Sequence, residues 1–168
     1  MPEIPTLSDD FKAAMRRLAA TVTVVSLRNR AGERHGMTAT AVTSVSVDPP
    51  SLLICVNRNG RLHDMLADTD RFCINVLHAE HAEVSRTFAQ PHSDHRFACG
   101  AWDDHDTGVP YLRDAQAALF CRKALTVPYA SHSIIIGEVE DVRLRNDIAP
   151  LIYQDGLYGI HGPLQRAC

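Results

Sequence analysis

Hydroxyl-bearing side chains crowd the segment from residue 37 to 47, which predicts an extended strand with one polar face. Thr38 and Thr40 are two residues apart, and Ser44 and Ser46 continue the period of two that places strand side chains on one face. Such a face offers hydroxyls, and its backbone offers amides, to the edge of a flat heteroaromatic ring. The alternative is a half-exposed strand in which threonine simply fits a pleated surface. The spacing alone leaves both interpretations open.

A basic turn follows the next strand along the chain. The Asp48-Pro49-Pro50 corner is rigid by sequence, because proline fixes its own backbone and holds the residue before it extended. The apolar strand after this corner ends in polar and basic residues. A turn that leads into a helix offers free amides and the positive end of the helix dipole to a phosphate, and arginine adds bidentate donors. Beside the hydroxylated strand, this turn predicts a site for a flat ligand with a phosphate tail, with the candidates Asn57, Arg58, Arg61 and His63.

A histidine stands at the entrance of another apolar strand. His132 lies directly before the run that begins near Ser133. A histidine in this position can donate to a ligand or move a proton near neutral pH. The alternative, a polar residue that simply ends a strand, stays open.

The sequence lacks the motifs of several other kinds of site. His92, His95 and Cys99 have ligand-like spacings, but the chain has no His-Glu-x-x-His and no Cys-x-x-Cys, so we predict no bound metal. There is no Gly-x-Ser-x-Gly elbow, and Cys121 has no base partner that the sequence identifies. Without a Gly-x-Gly-x-x-Gly run or a P-loop, any dinucleotide binds without a Rossmann fingerprint.

The composition is that of an ordinary soluble protein. The 168 residues are 45% hydrophobic and 22% charged, enough for one domain with its own core. A net charge of -3 argues against a nucleic-acid surface or a polybasic membrane anchor. We expect neither a signal peptide nor a membrane-spanning helix. The five scattered cysteines favour a reduced, cytoplasmic setting.

The hydrophobic periodicity predicts one α+β domain over 1–168, with a core over about 9–163. A short amphipathic helix is expected over 9–20, with Ser8 as its N-cap. Further helices are expected near 62–66 and over 80–88, and 89–108 reads as a long loop. The predicted strands cover 21–27, 37–47, 51–56, 72–77, 117–127, 133–144 and 151–160. We favour a mostly antiparallel sheet closed as a barrel, because closure removes exposed edges.

These residues resemble a known family, the short-chain flavin reductases with the FMN-binding split-barrel fold. Its members are the small reductase partners of two-component flavin monooxygenases, such as the one that acts on 4-hydroxyphenylacetate. The similarity runs from about Phe11 to Pro163, and its most specific block is the run from Gly36 to Leu52. The resemblance implies a Greek-key split β-barrel with peripheral helices. Supporting segments are 11–19, 72–77, 88–89, 132–139 and 151–158.

The resemblance also implies a site. It implies a homodimer with FMN or FAD near the subunit interface, reduced by NADH or NADPH. The isoalloxazine edge is assigned to Thr38, Ala39 and Thr40, and His132 and Tyr158 are assigned to the side where the nicotinamide stacks, with His132 as the catalytic residue. The rest of the implied flavin-binding set is Ser44, Val45, Ser46, Asn57, Arg58, Arg61, His63 and Phe88.

The implied reaction is hydride transfer from nicotinamide C4 to flavin N5, followed by release of reduced flavin to a partner monooxygenase. Such a step needs no protein nucleophile, because holding the two rings in register supplies most of the acceleration. Gly60 stands where family members often carry serine, and Gln154 and Asp155 stand where a basic residue is common. The choices between FMN and FAD and between NADH and NADPH therefore stay open. Two alternatives also stay open: a reductase of ferric complexes or a cobalt corrinoid, and a non-catalytic flavin-binding electron carrier.

Overall fold

The structure, a computed structural model, describes residues 6–90 and 95–162. Its helices are α1 (Leu7–Met15), α2 (Arg61–Asp68) and α3 (Ala82–Ala89), with 3-10 turns at Ala79–His81 and Arg96–Ala98. Its strands are β1 (Ala20–Thr21), β2 (Thr23–Arg28), β3 (Arg34–Ala39), β4 (Val42–Val47), β5 (Pro50–Asn57), β6 (Arg71–Val76), β7 (Trp102–Asp104), β8 (Pro110–Leu112), β9 (Ala117–Tyr129), β10 (His132–Leu144), β11 (Leu151–Gln154) and β12 (Leu157–Ile160). No helix among these residues is long and apolar enough to cross a membrane.

The largest sheet curls into a split barrel. Its seven strands follow the order β3-β2-β6-β9-β10-β5-β4, so β3 and β4 form the two edges. A flat sheet of this size would separate its edges by about 29 Å. The last residue of β3, Ala39, and the first of β4, Val42, are joined by a connection short enough to keep their Cα atoms within about 11 Å. The edges therefore meet at this corner without pairing as a ladder, which confirms the predicted split barrel.

The barrel interior is filled by alternate residues of its strands and by one helix. In β2, Val25 and Leu27 face the interior, where they join Ile54 of β5 and Phe72 of β6. Helix α2 contributes Leu62 and Leu66 to the same cluster. Because α2 begins directly after β5, packing its apolar face into the barrel holds the basic turn between them in place.

A second cluster covers the outside of the barrel. Val24, which points away from the interior, packs with Val84 and Phe88 of α3 and with Leu112 and Leu151. Phe88 also contacts Phe97 and Trp102, with ring centroids 5.1 and 4.9 Å away. A Cβ added at Gly36 would lie only 2.7 Å from the Phe88 ring, so glycine at this position lets α3 approach β3 closely.

The structure corrects three expectations about single elements. The hydroxylated run is two strands, because Thr40 and Ala41 separate β3 from β4 and the two lie on opposite edges of the sheet. The helix predicted over 9–20 is Leu7–Met15, with Thr6 rather than Ser8 as its N-cap, and none of its residues is buried. The strand predicted over 151–160 is a hairpin, because Asp155 and Gly156 both take positive φ angles and reverse the chain.

Candidate functional site

A cavity of about 800 Å³ opens where the barrel is split. Its floor is apolar, from Leu52, Ile74 and Leu119, and its rim carries hydroxyls. Among the predicted residues, Thr40, Ser44 and Ser46 line it. The Ser46 hydroxyl donates to the Asp48 carbonyl at 2.9 Å and accepts the Asp48 N–H at 3.1 Å, so it stabilises the turn before β5.

Val45 interrupts the regular spacing of this rim. The β4–β5 register shifts between Ser44, which pairs with Leu52, and Ser46, which pairs with Ser51. Val45 is the residue of the β-bulge and is half exposed. The bulge twists β4 at the cavity, which is a common place for such an irregularity.

This cavity continues into two others around the end of α1. A second cavity, of about 470 Å³, shares Leu18, Ala20 and Thr40 with the first. A third, of about 800 Å³, shares Arg16, Gln154 and Asp155 with the second. The three cavities therefore lie next to one another along a groove from the barrel split, past Thr40, to the β11–β12 hairpin.

The basic turn assembles beside the entrance of β10. In the β5–β10 ladder, Asn57 pairs directly with His132. The Arg58 N–H donates to the Ser131 carbonyl at 2.9 Å, and Arg58 Nη1 donates to the Ala130 carbonyl at 3.3 Å. Ser131 Oγ lies 2.9 Å from His132 Nδ1, which leaves the exposed Nε2 of His132 without a partner among the described residues. The structure thus brings His132 next to Asn57 and Arg58, two predicted residues that are distant from it in sequence.

The beginning of α2 offers backbone donors to the same place. Its N-cap is Gly60, which has no side chain to satisfy the first N–H groups of the helix. Arg61 is the first helical residue and is exposed. His63 Nε2 lies 3.0 Å from Ser133 Oγ, while its buried Nδ1 has no hydrogen-bond partner in the described part of the chain. The Arg61 and Leu62 amides and two guanidinium groups give this turn the donors that an anion site needs, and His63 Nδ1, 3.7 Å from Asp64 Oδ1, lies beside them. We call this arrangement the anion site.

Thr40 connects the groove to this turn. The Cys55 N–H donates to the Ala41 carbonyl at 3.1 Å, which places Thr40 near the Asn57 end of β5. Ser46 pairs with Ser51 at the other end of β5, six residues of extended chain or about 20 Å away. Within one chain, therefore, a single phosphate can contact either the basic turn or the Ser44–Ser46 segment but not both, although the flavin-binding set that the resemblance implies includes both segments.

The remaining predicted residues lie around α3. The Thr38 hydroxyl donates to the Ser85 carbonyl at 2.7 Å, and Tyr158 Oη lies 2.7 Å from Ser85 Oγ. Ala39 faces the barrel interior, on the opposite side of β3 from Thr38. Phe88 is only 1% exposed, so its ring packs in the core and does not face the groove. Tyr158 lines the third cavity, and the Arg86 guanidinium lies 5.2 Å from its ring centroid.

Three residues of the site were not identified from the sequence. Ser85 is fully buried and holds Tyr158, and its position three residues before Phe88 is the helical spacing that marks it as part of the buried face. Arg16 and Asp155 meet at the wall of the third cavity with Nε and Oδ1 3.0 Å apart. Nothing local predicts that pair, because it joins α1 to the far end of the chain.

Cys121 is not an activated thiol, and no metal cluster forms among the described residues. Burial, followed by the charge of Glu140, raises the pKa of Cys121 to about 12, so this thiol stays protonated and is a poor nucleophile. Among residues 6–90 and 95–162, no three His, Cys, Asp or Glu side chains gather as metal ligands. His92 and Asp94, in the loop predicted over 89–108, lie outside the described residues.

Fold and site together define a class: an antiparallel split-barrel protein with a groove that has hydroxyls along its rim and a cluster of anion-binding donors near one end, which suits a flat ligand with a phosphate tail. Residues 15–161 match the family described as "Flavin reductase like domain". The chain belongs to this family, which confirms the resemblance seen in its sequence.

Named relatives are similar over almost the whole chain. The reductase component of the FADH2-dependent resorcinol hydroxylase of Rhizobium sp. (strain MTP-10005) is 40% identical over 94% of this chain and 89% of its own. The reductase component of 4-hydroxyphenylacetate 3-monooxygenase of Pseudomonas aeruginosa is 36% identical over 91% of each. The structure of the NADH:FAD oxidoreductase of Streptomyces globisporus C-1027, in complex with NAD and FAD fragments, superposes with a TM-score of 0.88 at 29% identity, covering 96% of this chain and 98% of that one.

Proposed function

We propose that this protein is an NADH-dependent flavin reductase that supplies reduced flavin to a partner monooxygenase. The observation that carries the proposal is the anion site at the start of α2, joined by Thr40 to the groove, in a chain of this family. The residues fit a flavin phosphate, because the Arg61 and Leu62 N–H groups have no hydrogen-bond partner among the described residues. His63 Nδ1 also makes no hydrogen bond there, although Asp64 Oδ1 lies 3.7 Å away, and the His63 N–H itself donates to the Gly60 carbonyl at 2.9 Å. Relatives named as NADH-dependent reductases of FMN and FAD support the choice of donor and acceptor.

The residues around the basic turn would bind the flavin and orient the nicotinamide against it. Arg58, Arg61 and the free amides of α2 would hold a flavin phosphate, and Thr40 would face the ring edge. A flavin held there would supply the acceptor, at N5, for a hydride from nicotinamide C4. Backbone amides near Thr40 would stabilise negative charge at the ring edge. His132, next to Asn57 with its Nε2 exposed, would orient the nicotinamide carboxamide and exclude water.

A test separates this function from the alternatives. We expect purified protein loaded with FMN to lose its oxidised flavin absorbance when mixed with NADH without oxygen, and to regain it when air is admitted. A flavin-binding electron carrier would hold FMN but would not react with NADH. A reductase of ferric complexes or corrinoids would reduce these acceptors faster than free flavin in steady state, and that result would contradict the proposal.

Replacing His132 with alanine is expected to slow flavin reduction about tenfold while the Kd for FMN changes less than about twofold. The side chain orients the donor and is not part of the anion site, so catalysis falls and flavin affinity does not. Stopped-flow reduction and fluorescence titration of FMN measure the two quantities. His132→Gln keeps a donor at the same strand position and should recover part of the rate. Weakened FMN binding with an unchanged rate would refute the role of His132.

We also propose a homodimer, in which a second copy covers an apolar sheet face. Ladder partners share a face, so the β9–β10–β5 register places Leu125 beside Ile136 and Leu53, and Val127 beside Ile134 and Cys55. Leu125 is 52% and Val127 41% exposed. The β6–β9 ladder ends at Arg122, so β9 has a free edge over 124–129 in the described part of the chain. A free edge beside an exposed apolar face is what a partner of the same kind covers.

Light scattering with size exclusion is expected to give twice the 18.5 kDa chain mass. Leu125→Glu/Val127→Glu should shift the protein to a monomer with an unchanged far-UV spectrum, because two charges cannot be buried without partners. Ile148→Glu is the control, since Ile148 is exposed in the β10–β11 connection. A monomeric wild-type protein would contradict the dimer.

We further propose that the protein works in the cytoplasm as one domain. Cys73 and Cys121 are buried free thiols, and burial raises the pKa of both. Such thiols persist in a reducing compartment, where NADH is also found.

A further inference from the structure

The third cavity is lined by charged side chains that have no role in the proposed flavin reduction. It lies between α1 and the β11–β12 hairpin, and Tyr158 forms part of its wall. Arg16, Arg17 and Asp155 are its charged residues. This cavity shares wall residues with the second, which shares others with the cavity at the barrel split, so a long ligand that lies along the groove reaches all three.

Asp155 is held at this wall by three features. Its Oδ1 lies 3.0 Å from Arg16 Nε, and its N–H donates to the Arg16 carbonyl at 3.0 Å. Its φ of +48°, followed by +85° at Gly156, belongs to a two-residue hairpin turn, for which Asp-Gly and Asn-Gly are the preferred sequences. The carboxylate therefore occupies a fixed position and engages the Arg16 guanidinium.

Arg17 differs from Arg16 in having an uncommitted side chain. Its carbonyl accepts from Gln154 Nε2 at 2.9 Å, but its guanidinium makes no hydrogen bond or ion pair with the described residues. Among the described residues, the cavity therefore offers Arg17 as a cation without an ion-pair partner and Arg16 as a cation already paired with Asp155.

We propose that this cavity binds the adenosine half of the nicotinamide dinucleotide, and that Asp155 makes the site select NADH over NADPH. This inference rests on the proposed function. The free Arg17 pairs with the pyrophosphate, and the Asp155 carboxylate accepts a hydrogen bond from a ribose hydroxyl, the contact by which acidic residues recognise NADH elsewhere.

The 2′-phosphate of NADPH would meet two obstacles at this wall. It would lie against the Asp155 carboxylate, a charge of the same sign, and Arg16 would be unavailable to it. Asp155→Asn removes the charge, preserves the turn because asparagine tolerates positive φ, and frees Arg16 to pair with the phosphate.

Two readouts test the proposal. Calorimetric titration of the FMN-loaded protein with NAD+ and with NADP+ gives the two dissociation constants without turnover, and steady-state assays give kcat/KM for NADH and NADPH. For Asp155→Asn we expect both the affinity ratio and the kcat/KM ratio to move toward the phosphorylated nucleotide by at least about tenfold. Arg17→Gln should raise KM for NADH about tenfold with kcat changed less than twofold, as loss of a binding contact requires.

Asp10→Asn is the matched control, since it removes an equal charge from an exposed position of α1 outside the cavity, and it should leave both ratios unchanged. If wild-type protein reduces FMN with NADH but Asp155→Asn leaves the ratios within twofold of wild type, the inference is overturned and the proposed function stands. If NADH does not reduce the bound flavin at all, the proposed function itself fails.

Discussion

Replacing Arg58 and Arg61 together with glutamine is expected to weaken FMN binding by about a hundredfold or more while riboflavin affinity stays within about threefold. A charge-assisted hydrogen bond contributes about 1.5–3 kcal/mol, so losing two of them from one phosphate gives an effect of that size. Riboflavin lacks the phosphate, so it reports the ring contacts alone. The start of α2 is otherwise unchanged, because Gly60 remains the N-cap and Leu62 still anchors the helix in the core.

Fluorescence titration with FMN and riboflavin measures both affinities. Lys12→Gln/Arg113→Gln is the control, because it removes the same number of positive charges from exposed positions outside the basic turn. An equal loss of affinity for both flavins would mean that the arginines support the ring site rather than the phosphate. No loss for either would place the phosphate elsewhere, the Ser44–Ser46 segment being the other candidate.

Asn75→Leu is expected to lower the free energy of unfolding by about 3 kcal/mol. Asn75 is fully buried in β6, and its Nδ2 donates to the Val24 carbonyl at 3.0 Å and to Ser26 Oγ at 2.8 Å. Its Oδ1 accepts the Leu112 N–H at 2.8 Å, which attaches the β7–β8 hairpin to the barrel. Leucine has a similar volume but removes all three hydrogen bonds; Ser26 Oγ keeps its bond to the Pro110 carbonyl at 2.6 Å, whereas the buried Leu112 N–H loses its acceptor. Each buried group that loses its partner costs about 1–3 kcal/mol.

Urea unfolding followed by circular dichroism and by fluorescence of Trp102, the only tryptophan of the chain, measures this change. The control variant Asn146→Leu, at an exposed position between β10 and β11, should have a free energy of unfolding within about 0.5 kcal/mol of wild type. Both variants must be compared with wild type at the same protein concentration, since the stability of a dimer depends on concentration. If Asn75→Leu lowers the free energy of unfolding by less than about 1 kcal/mol, water or a backbone shift must satisfy the polar groups that lost Asn75 as a partner.

Much of the fold could be predicted because the signals are local. β-Branched and apolar runs identified β2, β5, β6, β9 and β10, and the basic turn after β5 indicated the start of α2. The errors also have local causes. Thr40 and Ala41 carry no strand-breaking residue type, so the sequence gives no sign that β3 and β4 separate there. The apolar spacing of α1 continues past Met15, although the helix ends there.

The site could be predicted only in part, because residue types are visible in a sequence and their orientations are not. Thr38 and Phe88 are of the right type and in the right segments, but the first donates to α3 and the second packs in the core. The opposite charges of Arg16 and Asp155 are evident from the sequence, but only the packing of α1 against the last hairpin brings the two side chains together.

The sequence by itself determined the family, the antiparallel class of the sheet and the chemical nature of the basic turn, since these depend on residue type and short-range periodicity. The tertiary structure decided which of those residues share a site. Asn57 faces His132 because the β5–β10 register makes them partners, and Thr40 lies between the groove and the anion site because the two edges of the barrel meet beside it. Register and closure are set by the packing of the whole barrel interior, a sum over many distant contacts that no local pattern contains.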